Sequence, residues 1–455
     1  MVYRLAITLK TSYFSANSPN HVEFHEQSLI ELIENGQIGQ IIHQSDPDYQ
    51  KTLTAAQTTD QLITIAPGHY LLPGFIDLHN HAPQWPQAGI ALDRPLNDWL
   101  NHYTFPLEAR FADLDYATAV YRDLVHTLLT NGTTSVLYFG SIHNNANLKL
   151  AEICAQLGQR AFIGTVVMDN PEQTPANYRD VNSATALSKT RTFIQAIQNQ
   201  HPDQLVQPVI TPRFIPSCQT ETLTQLGRLA QETQLRVQTH CSESTWEHQY
   251  VLDRFGQTDS VVLQQFGLLN QHAVLAHATQ LTTADQQLIK TEQAAIAHCP
   301  LSNAYFGNGV FPTKQLLDQQ LKIGLGTDIA GGYSPSLYTN LQTAVTASQM
   351  RQDGVDARLP ADSRGVADSR ITTEEAFYLA TAGGAASLAI NAGQIKPGML
   401  ADFQIVQAAP QFTTLTPADQ LTHLLFNHTA QQIKAVYVNG QLVHQKEQNW
   451  YDNAQ

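Results

Sequence analysis

LPGFIDLHNHAPQW, residues 72–85, is an apolar run that ends in two histidines and then turns through a proline. If Phe75 to His79 form a strand, side chains alternate between its faces, so His79 and His81 point the same way and Asn80 the other. Two imidazoles side by side at the C-terminal end of a strand suit a metal, whereas an isolated H-x-H reads equally well as a polar loop. The rest of the chain decides between them.

FIDLH (75–79) is the first of eight short apolar runs, each followed by a segment with helical spacing. The others are TTSVLYF (133–139), RAFIGTVVM (160–168), LVQPVITP (205–212), LRVQTH (235–240), AVLAH (273–277), AAIAH (294–298) and KIGLGTD (322–328). Eight strand–helix units in order predict an α/β chain built on a (β/α)8 TIM-type barrel over residues 69–391, closed by TEEAFYLATAGGAASL (373–388). Short alternating runs and glycine turns at both chain ends predict a small β-sandwich domain assembled from 1–68 and 392–455. The last stretch, QKEQNWYDNAQ (445–455), reads as disordered.

The chain has 455 residues, a formal charge of −14 and only 14% charged residues, with no basic block. That balance argues against nucleic-acid binding. The N-terminal MVYRLAITLKTSYF alternates like a strand and is too short in its apolar core for a secretory signal. No run approaches the length of a membrane span. Cys154, Cys218, Cys241 and Cys299 are far apart and read as reduced thiols, so a cytoplasmic protein is expected.

Polar residues of metal-binding type end the apolar runs. His79 and His81 end the first, His240 the fifth, His277 the sixth, His298 the seventh and Asp328 the eighth. Strand-end residues of such a barrel converge at its C-terminal face however far apart they are in sequence. Chance placement of 18 histidines would not produce this pattern. Three neutral imidazoles (His79, His81, His240) and the Asp328 carboxylate make a set able to hold one divalent metal and leave room for water. His277 is either a further ligand or a group that orients the water and substrate. The fourth run has no lysine to bridge a second ion, so one metal is expected, zinc ahead of iron. His298 reads as a supporting group, and Cys241 and Cys299 as packed on the other face.

Glu243, three residues past His240, is placed to shuttle protons without binding the metal, the alternative being a carboxylate serving the following helix start.

With PGFIDLHNHAPQW go WLNHYTFPLEARF (99–111), NGTTSVLYFGSIH (131–143), TPRFIPSC (211–218), HCSES (240–244), AHCPLSN (297–303) and IGLGTDIAGGYSPS (323–336). Together they make the chain resemble the amidohydrolase superfamily along nearly its whole length, most specifically its guanine-deaminating branch. The resemblance implies zinc on His79, His81, His240 and Asp328, with His277 beside the water. It implies a purine pocket from Gln84, Arg213 and Phe214, with Trp85 as a further aromatic face, and catalysis by Glu243, Asp328 and His277. The partners it implies are guanine and water, in a homodimer. Two other readings remain open: a relative acting on another amino-heterocycle (an oxidised purine, a pterin or a triazine), and a non-catalytic metal-bound scaffold.

Overall fold

The computed structural model describes residues 7–446 and residue 451. The chain opens with β1 (Ile7–Ser18), β2 (His21–Leu32), β3 (Ile38–Ile42), β4 (Leu62–Thr64) and β5 (His69–Pro73). Near its end come β16 (Phe403–Gln407), β17 (Ile433–Val438) and β18 (Gln441–Gln445). These strands form one eight-stranded sheet in the order β18-β17-β16-β5-β1-β2-β3, with β4 also paired to β1. The junction of the two chain ends is the antiparallel pairing of β5 with β16, Leu71 opposite Ile405. Leu9, Ile30, Leu71, Phe403, Ile405 and Tyr437 bury a common core there.

His69–Pro73, assigned from sequence to the barrel, thus belongs to the small sheet, and the barrel begins one residue beyond it. Tyr451, within the tail expected to be disordered, bridges to Ile65 and packs on the core of the small sheet. Residues 447–450 and 452–455 of that tail lie outside the described residues, as do the first six of the chain.

Between the two ends each apolar run becomes a strand or a pair of short strands. They are β6 (Phe75–His81), β7 (Thr133–Phe139), β8 (Arg160–Gly164) with β9 (Val166–Val167), and β10 (Val206–Pro208) with β11 (Thr211–Pro212). They continue as β12 (Val237–Cys241), β13 (Ala273–His277), β14 (Ala295–His298) and β15 (Lys322–Leu325). Neighbours pair in parallel, in sequence order. A bridge from Ile210 to Val237 joins the two halves. The ring closes where Asp328 N–H donates to the His79 carbonyl (2.8 Å) and His81 N–H to that of Ile329 (2.8 Å). All seven residues of β6 are buried, because helices cover the outside and side chains fill the inside. That explains why these runs are nearly continuous in apolar character.

The covering helices follow from local signals. In Leu114–Thr130, Asp113 caps the first turn by accepting from Asp115 and Tyr116 N–H, and Ala117, Tyr121, Leu124 and Leu128 form the inward stripe. The helical segment at 373–388 packs against β6 and β15 through Gly383 and Gly384. A Cβ on Gly384 would lie 2.9 Å from Ile76 Cβ, so only glycine permits this approach. Arg160, at the start of β8, pairs with Asp402 beside β16 and ties the barrel to the small sheet. Among the described residues no helix is long and apolar enough to cross a membrane.

Candidate active site

The predicted ligands come from the ends of β6, β12 and β13 and the turn after β15, and the fold brings them together. Asp328 Oδ1 lies 3.2 Å from His79 Nε2 and 3.6 Å from His81 Nε2. His81 Nε2 and His240 Nε2 are 3.0 Å apart. His277 Nε2 stands 3.8 Å from Asp328 Oδ2 and 3.6 Å from Glu243 Oε1.

The outer nitrogens decide which atoms face inward. His240 Nδ1 lies 2.6 Å from the Arg213 carbonyl, and His277 Nδ1 3.0 Å from the side-chain oxygen of Asn303. Both partners accept, so each ring keeps its proton on Nδ1 and turns an Nε2 lone pair toward the centre. His79 Nε2 and His277 Nε2 are buried without a hydrogen bond. Burial, with neighbouring imidazoles and Arg213 adding to it, holds His79, His81 and His240 well below the ordinary histidine value. Neutral rings with unpartnered lone pairs beside a carboxylate fit a divalent cation, and the fixed Nδ1 contacts are those that orient metal-binding histidines.

The carboxylates are shaped by the same burial. Burial pushes Asp328 above its ordinary value, against the pull of His277. It raises Glu243 further, with the Asp328 charge adding to it and Arg213 and Asn308 opposing. That direction favours the acid form of Glu243. His277 and Asp328 both sit in the left-handed region, at φ 69° and 50°. Such backbone costs about 1–3 kcal/mol per residue and persists only where surrounding contacts impose it. One source of those contacts is Asp77, which sequence reading passed over. It accepts from Thr327 N–H (2.9 Å), Thr327 Oγ1 (2.5 Å), His79 N–H (3.2 Å) and Asn80 Nδ2 (3.2 Å), stapling β6 to the turn that carries Asp328. Burial pushes its carboxyl up to about 6 against these four bonds.

A cavity of about 420 Å³ opens onto the cluster, lined by His81, Gln84, Arg213, Phe214, His240, Glu243 and Asp328. Leu96, Trp99, Leu100, Trp246, Glu247 and Phe306 also lie on its wall. None of these six was singled out from sequence, since they lie in loops and short helices with no strand periodicity to follow. Arg213 and Gln84 share a partner that was also missed, Glu108. Arg213 Nη1 and Nη2 donate to its two oxygens at 2.7 and 3.1 Å, and Gln84 Nε2 donates at 2.8 Å. Burial opposes the charge on Arg213, but Glu108 overrides it and holds the guanidinium above its ordinary value.

Two expectations need correction. Trp85 is absent from the cavity wall: its indole N–H donates to Asp123 (2.7 Å). Residues 82–87 form a 3-10 turn, in which neighbours are about 120° apart, so Gln84 faces the cavity and Trp85 cannot. Cys299 is not on the far face: its sulfur lies within 4.8 Å of ring nitrogens of His79 and His277, kept a thiol by burial. Gly331, on the cavity wall, also has a role: a Cβ there would press to 2.5 Å from Asp328 Oδ2. His298 lies outside the cavity wall and stacks on Phe311, ring centroids 4.8 Å apart. Burial and His277 bring it down to about 3. Cys241 is a buried free thiol, as expected.

Residues 70–443 match the Amidohydrolase family. Guanine deaminase of Dictyostelium discoideum is 38% identical over 372 residues, 80% of each chain. That of Escherichia coli K12 is 31% identical over 396 residues, 83% of this chain and 84% of its own. A crystal structure of guanine deaminase from C. acetobutylicum with guanine bound in its active site superposes with a TM-score of 0.85 at 28% identity. The match covers 97% of this chain and all of that one.

Proposed function

The chain belongs to the amidohydrolase family, and from that premise we propose that it deaminates guanine hydrolytically to xanthine and ammonia, with one zinc ion per chain. The observation that carries this reading is the convergence of His79, His81, His240 and Asp328 beside the acid Glu243, in a cavity whose wall includes Arg213 and Gln84. His79, His81, His240 and Asp328 would hold the metal. When bound there, it would lower the pKa of a water from 15.7 toward about 7.

The chain's own residues supply the rest. Asp328 takes a proton from the attacking water as it adds to C2. In guanine N1 already carries hydrogen, so N3 is the ring nitrogen beside C2 that Glu243 protonates. The C2–amine bond then breaks, and the proton passed through Asp328 or Glu243 leaves with ammonia. His277 Nε2, within reach of both carboxylates, orients the water between them. Arg213 has five N–H groups, of which Glu108 engages two, and Gln84 keeps one amide hydrogen free of Glu108. These remaining donors suit the carbonyl and ring nitrogens of guanine, with Phe214 against the flat ring. A homodimer, carried by the resemblance alone, completes the proposal, with a cytoplasmic location expected from the four reduced cysteines and a sandwich form for the small module expected from its short alternating runs.

The test is a xanthine-plus-ammonia assay with guanine on purified protein, with metal analysis of the same sample. One zinc per chain and turnover that is lost on chelation and restored by zinc supports the reading. A full metal site without guanine turnover transfers it to another amino-heterocycle.

A further inference from the structure

Glu247 lines the catalytic cavity and is only 1% exposed. One of its oxygens, Oε2, accepts the backbone N–H of Glu243 at 2.8 Å. The other, Oε1, is buried and has no hydrogen-bond partner. Its own N–H is capped by Ser244 Oγ at 3.2 Å, so the first turn of the helix Thr245–Phe255 fixes the residue in place. A helix start needs no second carboxylate oxygen left buried and unpartnered. Buried polar atoms of native proteins find partners, and one that lacks a partner within the chain, on a residue of a cavity wall, points to the ligand.

We propose that Glu247 is a specificity-determining residue: its free oxygen accepts the N9–H of a purine free base, so the site rejects purines substituted at N9. This rests on the guanine reading. There Glu243 meets N3, and N9 is separated from N3 by a single carbon, C4. The carboxyl of Glu247 binds the backbone of Glu243 and belongs to the same cavity wall, so with Glu243 at N3 it would stand toward N9. A purine carrying a methyl group or a sugar on N9 has no hydrogen to give. It leaves Oε1 unpaired and brings bulk against it, the kind of mismatch that discriminates far more strongly than a lost apolar contact.

The experiment compares kcat/KM for guanine and 9-methylguanine in the wild type, Glu247→Gln and Glu247→Ala. The wild type is expected to prefer guanine by about 100-fold or more. In both variants that preference should narrow by at least about tenfold, since the acceptor facing N9 is altered or removed. The alanine variant keeps the test available if the glutamine variant does not fold. Damage that is only structural lowers both rates together and leaves their ratio unchanged; an unchanged ratio, or equal use of both substrates by the wild type, overturns the proposal. Absence of guanine turnover in the wild type is a separate result that removes the guanine reading itself and this inference with it.

Discussion

Arg213 and Glu108 close on one another through two parallel hydrogen bonds, 2.7 and 3.1 Å, with neither side chain reaching solvent. Gln84 donates to the same carboxylate, so a single acid positions both polar residues proposed to read the purine. Truncating one member of a buried pair leaves the other charged and unpartnered, at a cost of about 3–5 kcal/mol. Glu108→Ala should therefore lower stability by that order. Glu108→Gln, which keeps the shape, should raise KM for guanine well above its effect on kcat, with metal content unchanged. Urea unfolding and steady-state kinetics on the two variants check this. A normal KM in Glu108→Gln would mean that Arg213 and Gln84 hold their positions without the charge.

Glu243 is proposed as the proton donor: it lies 3.6 Å from His277, and burial, with the Asp328 charge adding to it, favours its acid form. Glu243→Gln cannot give that proton. Its kcat should fall by about 100-fold or more while zinc content and folding are retained. Single-turnover rates on the zinc-loaded variant decide it, and a rate within a few-fold of wild type would move the acid role to another group.

The eight barrel strands and the ends that carry His79, His81, His240, His277 and Asp328 were legible because a buried parallel strand writes a short, nearly unbroken apolar run, and a polar residue ending such a run stands out. Phase was lost wherever the backbone left that pattern. Gln84 and Trp85 look equivalent in the sequence, but a 3-10 turn sends them in different directions. Glu108 sits inside a motif quoted for its resemblance, yet nothing local shows that its partners are 24 and 105 residues away. Trp99, Trp246 and Phe306 reach the cavity from separate loop and helix segments, positions set by tertiary packing. The expected boundary at 68/69 falls just before an apolar run that continues into β6; the switch of sheets at Gly74 depends on pairing with β16.

Arg160 and Asp402 form an ionic link between the barrel and the small sheet, both nearly excluded from solvent. Asp402 also accepts the backbone N–H of Asn439 at 2.7 Å. Removing the guanidinium in Arg160→Ala leaves Asp402 with that one bond and should cost about 3–5 kcal/mol in unfolding free energy. Turnover per folded molecule should stay near wild type, because the pair is remote from the cavity. A loss below about 1 kcal/mol would show that Asn439 and entering water satisfy the carboxylate.

His248 reports on the turn behind Glu243 through pH. Its Nδ1 lies 3.1 Å from Asp259 Oδ2, while Asp259 Oδ1 accepts the backbone N–H of Ser242, so the pair ties the helix bearing Glu247 to the end of β12. The hydrogen bond to Asp259 raises the imidazole above its ordinary 6.5, against the effect of burial. A group bound more tightly to its proton in the folded state stabilises that state fully below the unfolded value and loses its contribution as pH rises through the higher folded value. The stabilisation is thus present at pH 6 and fades as pH rises from 6.5 through the higher folded value. His248→Gln should lower Tm more at pH 6 than at pH 9, read from thermal melts of variant and wild type at both. An equal loss at the two values would mean that the ring contributes by packing and neutral hydrogen bonding, with no share from its charge.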